Sequence, residues 1–290
     1  MRRLIKPIQV SGTVISGEKI GRKIGFPTAN LNLKQSPKII PGVYVAVCRL
    51  AKKSFLGLAY YGPRYIFGHK QNSFEVYLFN FRQQIYEKMI QVKLLKFLRP
   101  PKPVKKLIEL KKLLEADVVN LNDQVILVNR KDQILGIEDK IRAHLGHAKL
   151  HRAISVQLFN QKGKLLIQQR AKTKSLFAGE WANTVCTDVR PYETYLQAAQ
   201  RRLKEEFGLT TQLKPIFKFT YSARGGKAGS EREMDQVFLG LVRGRPRPNP
   251  LEIADWQFIS LTAAKTKRAD FTPWFQLILK KLKPSDIVVS

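Results

Sequence analysis

The feature of this sequence that most constrains its fold is a change of pattern part-way along the chain. Residues 1–90 consist mostly of short apolar segments separated by Gly, Pro, Lys or Asn, a pattern typical of β-strands joined by turns. Apolar residues then recur at helical spacing over 104–116, and a polar stretch, DVVNLND, covers 117–123. Beyond it, strand-like and helix-like segments alternate. The pattern predicts an α+β chain, with a strand-rich domain over 1–120 and a mixed domain over 121–290.

The composition excludes several classes of protein. The chain has 290 residues, of which 44% are hydrophobic, so it can bury a sizeable core and is not disordered. Its two cysteines do not make a disulfide framework, and no apolar run is long enough for a membrane span or a signal peptide. We therefore expect a cytoplasmic protein without a membrane partner.

The net charge of +30, from 52 Lys and Arg against 22 Asp and Glu, favours anionic ligands. The densest basic segment, residues 93–112, carries leucines at helical spacing and a single aromatic residue, Phe97. A surface that binds RNA usually interleaves aromatic side chains with the charge. The segment is therefore interpreted as the solvated face of a helix, and nucleic-acid binding is not expected despite the charge.

The strongest motif of the first domain is GTVISGEKIGRKIGFPTANLNL, over 12–33. Its glycines allow a loop to approach a ligand closely, and its cationic side chains can contact phosphate. The hydroxyl and amide of the Pro-Thr-Ala-Asn run suit a magnesium-bound phosphate. The candidate nucleotide-binding residues are Gly17, Gly21, Arg22, Gly25, Thr28 and Asn30.

The string GRxxGFPTAN resembles the riboflavin kinase family, over roughly residues 8–118. The resemblance implies a small β-barrel that transfers a phosphoryl group from ATP to riboflavin with Mg²⁺. It implies that Thr28 and Asn30 bind the magnesium and the phosphates, that Glu75 is the general base, and that Arg99 lies near the flavin. The alternative for Glu75 is an exposed carboxylate on a strand.

Two departures from that family occur. Tyr65-Ile66 stands where Pro-Thr is usual, and Tyr86-Glu87 stands where Tyr-Gly is usual. Both are expected to alter the flavin pocket or a loop without affecting the nucleotide-binding residues. The adenylyltransferase segment often fused in bacterial relatives is not found, so FAD synthesis is not expected.

The helix predicted over 193–209 nearly matches the pyrophosphate-binding box of Nudix proteins. Thr187 replaces the leading glycine of that box, and Arg202 replaces a glutamate that binds metal in the hydrolases. The second domain is thus either a Nudix hydrolase of nucleoside or prenyl diphosphates, or a relative with another activity. A helix covered by surface ion pairs is the structural alternative.

Histidines and carboxylates elsewhere in the second domain suggest a metal centre. His144 and His151 lie in one short segment, and Glu231 and Glu233 are two apart, as on one face of a strand. Imidazole and carboxylate ligands together suit Mg²⁺, Mn²⁺ or Zn²⁺. Surface histidines without a metal remain the alternative.

Over about 122–280 the chain resembles the Nudix-related, metal-dependent isopentenyl-diphosphate isomerases, through LHRA, WANTVC, AAQRRLKEEFG, FTYSA, EREMD and TPWF. The resemblance implies a Nudix-like α/β/α sandwich. It assigns proton transfer to Cys186, Glu233 and Tyr221. It assigns metal binding to His144, His151, Glu231 and Glu233, with Glu206 contributing to a second, substrate-bridging Mg²⁺. It assigns diphosphate binding to Lys140, Arg170, Lys174 and Arg202, with Trp274 closing the pocket.

Asp188 is the main departure from the isomerases, which usually have a histidine ligand two residues after the cysteine. An aspartate there would favour Mg²⁺ or Mn²⁺ over Zn²⁺. We expect a monomeric enzyme that uses riboflavin, ATP and isopentenyl diphosphate. A degenerate pair of domains serving as a basic RNA-binding or scaffold protein is the alternative outside the enzymes.

Overall fold

The computed structural model describes residues 2–65, 68, 71–226 and 229–286. Of the altered Tyr65-Ile66 pair, Ile66 lies outside the described residues. The strands are β1 (Arg2–Ile15), β2 (Thr28–Leu33), β3 (Gly42–Leu50), β4 (Lys53–Pro63), β5 (Asn72–Leu78), β6 (Met89–Arg99), β7 (Gln124–Val128), β8 (Ile134–Asp139), β9 (His151–Phe159), β10 (Lys164–Arg170), β11 (Trp181–Ala182), β12 (Val185–Asp188), β13 (Lys214–Arg224), β14 (Ser230–Leu241) and β15 (Ile253–Ser260). The helices are α1 (Ile20–Lys23), α2 (Leu107–Val119), α3 (Lys140–His144), α4 (Tyr195–Phe207), α5 (Leu261–Thr266) and α6 (Pro273–Lys281).

The first six strands form a closed barrel in the order β1-β2-β5-β4-β3-β6. Closure pairs β6 with β1 and leaves no free edge. Inward-facing apolar residues fill the interior, and Cys48 is among them at 1% exposure, as expected for strand packing. The predicted small β-barrel is confirmed.

Helix α2 follows the barrel and is tied to its last strand by a charged pair. Arg99 donates to Asp117 twice, from Nε to Oδ1 at 2.8 Å and from Nη2 to Oδ2 at 2.7 Å. Asp117 is the buried residue of the helix. Two parallel hydrogen bonds of this kind fix orientation as well as distance, so they set the position of α2.

The remaining nine strands form one mixed sheet that contains the path β11-β10-β9-β14-β13. β14 runs parallel to β9, whereas β9 pairs antiparallel with β7, β10 and β12, β10 with β11 and β15, and β13 with β14. Helix α4 begins with a capping box of Thr194 and Gln197 and ends at Gly208, whose φ is +64°. Helix α6 begins with Pro273 and buries Trp274 in the core. The predicted Nudix-like α/β fold is confirmed.

The chain divides into two compact units. One contains residues 1–126 with two short later segments, 133–137 and 190–192, and the other contains the rest. The boundary expected at residue 120 stays a prediction. No helix in the described ranges is long and apolar enough to cross a membrane.

Candidate active sites

The first candidate site joins two neighbouring strands of the barrel. In the pairing of β2 with β5, Asn30 lies opposite Glu75, and Thr28 lies opposite Tyr77. Because alternate residues of a strand point to the same face, Thr28 and Asn30 share one side with Glu75. The Thr28 hydroxyl donates to Glu75 Oε2 at 3.0 Å. The structure thus brings Glu75 next to Thr28 and Asn30, which lie more than forty residues earlier in the sequence.

Three glycines shape the loop before β2. A Cβ atom on Gly17 would lie 2.0 Å from Asn30 Nδ2, and one on Gly21 would lie 2.1 Å from the carbonyl oxygen of Phe26. Gly25 has a φ of +86°, a conformation that other residues rarely adopt. A side chain at any of these three positions would therefore clash or strain the backbone, and Gly17 packs directly against the amide of Asn30.

Arg64, which the sequence motifs do not single out, connects the residues of this site. Its Nε donates to Glu75 Oε1 at 2.7 Å and to Ser73 Oγ at 3.1 Å, and its Nη2 donates to Asn30 Oδ1. The Arg64 side chain is 24% exposed and that of Glu75 is 20% exposed. The only local signal would have been an arginine two residues after Gly62, inside the altered segment.

Two cavities adjoin Thr28. The first is lined largely by apolar and aromatic side chains, among them Phe26 and Tyr77, and suits a flat ring system. The second includes Arg22 and Arg82 and suits an anionic ligand. Thr28 contributes to both linings, so it stands where two ligands of different chemistry could meet.

Arg99, expected near the flavin, lines the first cavity. Its guanidinium is already held by Asp117, and Nη1 donates to the carbonyl oxygen of Pro100 at 3.1 Å. Arg99 therefore shapes the cavity wall through the position of α2.

The second candidate site is assembled by the register around β9. Glu233 on β14 lies opposite His151 at the start of β9, and Tyr221 on β13 lies opposite Glu233. On the other side of β9, Asp188 pairs with Ala153. Residues from β9, β12, β13 and β14 therefore converge at one end of the sheet.

Four side chains there form a cluster with metal-ligand chemistry. One ligand atom from each of His144, His151, Glu231 and Glu233 lies within 4.8 Å of the other three. His144 Nε2 is 2.9 Å from Glu231 Oε2, and His151 Nε2 is 3.8 Å from Glu233 Oε1. The four residues that the isomerase resemblance assigns to the metal are thus brought together.

The histidines of the cluster are oriented by backbone carbonyl groups. His144 Nδ1 lies 2.7 Å from the carbonyl oxygen of Lys140, and His151 Nδ1 lies 2.7 Å from that of Lys149. Because a carbonyl oxygen only accepts, both Nδ1 atoms carry the proton and both Nε2 atoms face the carboxylates. This is the second-sphere arrangement typical of metal-binding histidines, so the donor set fits a divalent cation.

The negative charge of the cluster raises the pKa values of His144 and Glu233. Burial alone would lower the pKa of His144, but contact with Glu231 and the charges of Asp188 and Glu231 raise it to about 9. Burial and the neighbouring charges of Glu231 and Asp188 raise the pKa of Glu233 well above its usual value. In the absence of a cation, protons therefore take up part of the charge that a metal would neutralise.

Asp188 adjoins the cluster and has a cationic partner. Its Oδ1 is 2.9 Å from His151 Nε2 and 3.8 Å from His144 Nε2, while Oδ2 is 2.8 Å from Lys140 Nζ. Burial would raise the pKa of Asp188, but Lys140 and His151 lower it well below the usual value. His147, the third histidine of this segment, is exposed.

The residues expected to transfer protons include Glu233, which belongs to this cluster. Tyr221 donates to Glu233 Oε2 at 2.7 Å. Burial raises the pKa of the Cys186 thiol to about 12, so it carries its proton near neutral pH. Trp274 donates from Nε1 to Asn183 Oδ1 at 2.9 Å, and its ring centroid is 6.1 Å from that of Tyr221.

The four residues expected to bind the diphosphate, Lys140, Arg170, Lys174 and Arg202, each have protein partners, and these partners differ. Lys140 contacts Asp188. Arg170 lies with Nη1 3.7 Å from Cys186 Sγ and its guanidinium 5.4 Å from the Trp274 ring centroid. Its other nitrogens donate to carbonyl groups of the loop before β11.

Lys174 and Arg202 are paired with two carboxylates, Glu206 and Glu252. Arg202 Nη2 donates to Glu252 Oε2 at 2.6 Å, and Lys174 contacts the same oxygen. Glu206 also accepts from Gln168 Nε2 at 2.7 Å and lies outside the four-residue cluster. Glu252 was missed from the sequence because it lies fifty residues after Arg202 and belongs to no motif.

A buried acid was also missed. Ser155 Oγ donates to Asp235 Oδ2 at 2.7 Å, and Asp235 Oδ1 has no hydrogen-bond partner among the residues that the structure describes. Burial raises the pKa of Asp235 to about 7. Its place two residues after Glu233 on β14 was the available signal, since it extends the row of acids along one face of that strand.

Comparison with known proteins finds matches to both parts of the chain. Residues 4–125 match the family model described as riboflavin kinase, and residues 149–280 match the NUDIX domain model. The isopentenyl-diphosphate Delta-isomerase of Halorhodospira halophila is 38% identical over 170 residues, which are 57% of this chain and 97% of the relative. That of Serratia proteamaculans is 37% identical over 171 residues, 58% of this chain and 95% of the relative. Isopentenyl-diphosphate Delta-isomerase 2 of Aromatoleum aromaticum is 44% identical over 142 residues, 49% of this chain and 75% of the relative.

The fold and the matched models define a chain of two domains, a barrel that matches the riboflavin kinase model followed by a Nudix domain. Through its C-terminal part, the chain belongs to the isopentenyl-diphosphate Delta-isomerase family. The family resemblances drawn from the sequence are confirmed.

Proposed function

We propose that this protein is a bifunctional enzyme. Its barrel phosphorylates riboflavin to FMN with ATP, and its Nudix domain interconverts isopentenyl and dimethylallyl diphosphate. The observation that carries the proposal is the presence of two separate constellations, one around Glu75 and one around Cys186, each suited to one of these reactions. We expect the substrates to be small molecules; the monomeric state and the cytoplasmic location stay predictions.

In the kinase domain, the chemistry requires alignment and charge neutralisation. The apolar cavity would hold the flavin ring system and the basic cavity the nucleotide, with Thr28 between them. Glu75 would accept the proton of the ribityl hydroxyl, since a carboxylate within reach of that group can act as general base. A magnesium ion bound with ATP supplies charge neutralisation, and the oxygens of Thr28 and Asn30 are donors of the type it prefers.

In the isomerase domain, the reaction adds a proton to one carbon and removes one from another. The protonated thiol of Cys186 and the hydrogen-bonded Tyr221–Glu233 pair would be the two proton-transfer groups. The face of Trp274 would stabilise the positive charge that develops on the hydrocarbon. Tyr221, Glu233 and Trp274 are buried and Cys186 is partly buried, which limits access of water to the carbocation.

The metal centre of the isomerase domain would consist of His144, His151, Glu231 and Glu233, with Asp188 beside it. A divalent cation there supplies the positive charge that offsets the converging carboxylates and orders the pocket. With three carboxylates in place of two, we propose Mg²⁺ or Mn²⁺ ahead of Zn²⁺ as the resident ion.

A Nudix hydrolase is the second candidate for the C-terminal domain. In that candidate, a metal-binding glutamate would be needed where Arg202 stands. Arg202 instead forms ion pairs with Glu206 and Glu252, so a cation occupies the position where the hydrolase needs a metal ligand. Release of phosphate or pyrophosphate from isopentenyl diphosphate would favour the hydrolase.

The decisive experiment uses one protein and two assays. The wild type is tested for FMN formation from riboflavin and ATP, and for dimethylallyl diphosphate formation from isopentenyl diphosphate. Cys186→Ala should abolish isomerisation and leave FMN formation unchanged, and Glu75→Gln should do the reverse. Each variant thus serves as the folding control of the other, and equal loss of both activities would mean misfolding. Full isomerisation by Cys186→Ala, or full FMN formation by Glu75→Gln, would contradict the assignment.

A further inference from the structure

The kinase site contains a cation that the family motifs do not account for. Arg64 follows the end of β4 and places its guanidinium between Glu75 and Asn30. These residues are the expected base and one of the expected ligands of the metal that accompanies ATP. A positive group at this point lies where the base, the metal ligands and the transferred phosphoryl group have to meet.

The position of Arg64 is fixed from several directions. The Tyr60 hydroxyl donates to the carbonyl oxygen of Pro63 at 2.6 Å, which holds the backbone just before Arg64. Ser73 Oγ accepts from Arg64 Nε at 3.1 Å. Because Gly17 packs against the Asn30 amide, that amide is held between the glycine loop and the guanidinium.

The contacts of Arg64 with Glu75 and with Asn30 differ in whether they can persist when the metal and the nucleotide are bound. The contact of Nε with Glu75 is compatible with a loaded site, since it orients the carboxylate that accepts a proton. The contact of Nη2 with Asn30 is not, because a guanidinium repels a divalent cation brought to the same oxygen. When that contact is released, Nη2 becomes a free donor beside the base, and its natural partner is a phosphate oxygen.

We propose that Arg64 is a catalytic residue of the phosphoryl transfer: its guanidinium holds Glu75 through Nε, leaves Asn30 when the metal–nucleotide complex binds, and then binds the transferred phosphoryl group through Nη2. This inference rests on the proposed kinase activity. In the step, the bond from the terminal phosphorus of ATP to its bridging oxygen breaks and ADP leaves with that electron pair. The ribityl oxygen forms the new bond to phosphorus, and its proton passes to Glu75.

The test compares Arg64→Gln and Arg64→Lys with Arg49→Gln, which removes the same charge from an exposed position of the same barrel. Loss of a donor to a transferred phosphoryl group should lower kcat of Arg64→Gln about 100-fold or more. Arg64→Lys should have an intermediate kcat, because an ammonium group lacks the planar guanidinium that can donate to Glu75 and to a phosphate oxygen at the same time. Arg49→Gln should retain wild-type kcat. A kcat for Arg64→Gln within about twofold of wild type would overturn the proposal.

A binding measurement separates this role from simple nucleotide binding. The affinity for Mg·ADP, measured by calorimetry, should be equal or higher in Arg64→Gln, because the Asn30 oxygen is no longer shared with a cation. Guanidinium added to Arg64→Ala should restore part of the rate, whereas sodium at equal ionic strength should not. Weaker Mg·ADP binding, or an absence of rescue, would contradict the proposal. If the wild type bound Mg·ADP but did not phosphorylate riboflavin, the proposed kinase function would be wrong. The comparison of Mg·ADP affinity between the wild type and Arg64→Gln would still test whether Arg64 and the metal compete for the Asn30 oxygen.

Discussion

Lys140 and Asp188 form an ion pair of 2.8 Å beside the histidine–carboxylate cluster. The other oxygen of Asp188 faces His151, at 2.9 Å from Nε2. The Asp188 carboxylate thus contacts the Lys140 ammonium through one oxygen and His151, one of the candidate metal ligands, through the other. This pairing explains how a chain of this family can carry an additional buried negative charge, because Lys140 offsets it and holds the pKa of Asp188 low.

The metal preference of the site should depend on Asp188. Asp188→His replaces an oxygen donor by a nitrogen donor and leaves Lys140 without its anionic partner. We expect Zn²⁺ to bind at least tenfold more tightly in this variant and Mn²⁺ to bind more weakly, since imidazole favours the softer ion. Chelator competition with each metal measures the change. His147→Ala, which alters an exposed histidine outside the cluster, should leave both affinities unchanged.

Metal binding to the isomerase domain should release protons. His144 has its pKa raised to about 9 in the absence of a cation, so it is protonated at pH 7, whereas a metal ligand must be neutral. The apparent affinity should therefore rise as the pH rises from 7 toward 9 and level off above it. Calorimetry at pH 7 in two buffers of different ionisation enthalpy should report about one proton or more released per ion. An affinity independent of pH over this interval would show that His144 is not a ligand.

Glu87 should be replaceable by glycine with a gain in stability. This residue stands where the kinase family usually has glycine, and its φ is +64°, in the left-handed region. Glu87→Gly removes that strain at some cost in chain entropy, so we expect unfolding to require about 0.5–1 kcal/mol more. Thermal or urea unfolding measures the difference. Glu115→Gly, on the exposed face of α2, should instead destabilise by about 1 kcal/mol.

Sequence patterns predicted the features that depend on residues close together in the chain. The glycine loop and the strands of the barrel follow from turn residues and periodicity. Glu87, which stands where the family usually has glycine, has a φ of +64°. Contacts across the chain could not be predicted in this way. Arg64 meets Asn30 only because β4 and β2 both flank β5, and the pairing of Arg202 with Glu252 depends on the start of β15. Within the segment EDKIRAHL (138–145), only Lys140–His144 is helical, because the preceding residues belong to β8.

The ion pair of Arg99 with Asp117 should matter far more to the stability of the barrel domain than a surface pair of the same helix. The Asp117 side chain is 2% exposed, whereas those of Lys111 and Glu115 are 46% and 52% exposed. Asp117→Ala would leave the Arg99 guanidinium partly buried without its anion, and we expect a loss of about 3 kcal/mol in the free energy of unfolding. Glu115→Ala should change it by less than about 0.5 kcal/mol, because solvent screens that pair.

Urea unfolding of the two alanine variants measures the difference, and the double variant Arg99→Ala/Asp117→Ala tests its cause. If the cost arises from an uncompensated buried charge, removing both partners should be less damaging than the sum of the single changes. Additive losses would mean that the two side chains stabilise the domain by packing alone. Because Arg99 also lines the apolar cavity, the same variants should raise KM for riboflavin more than they lower kcat.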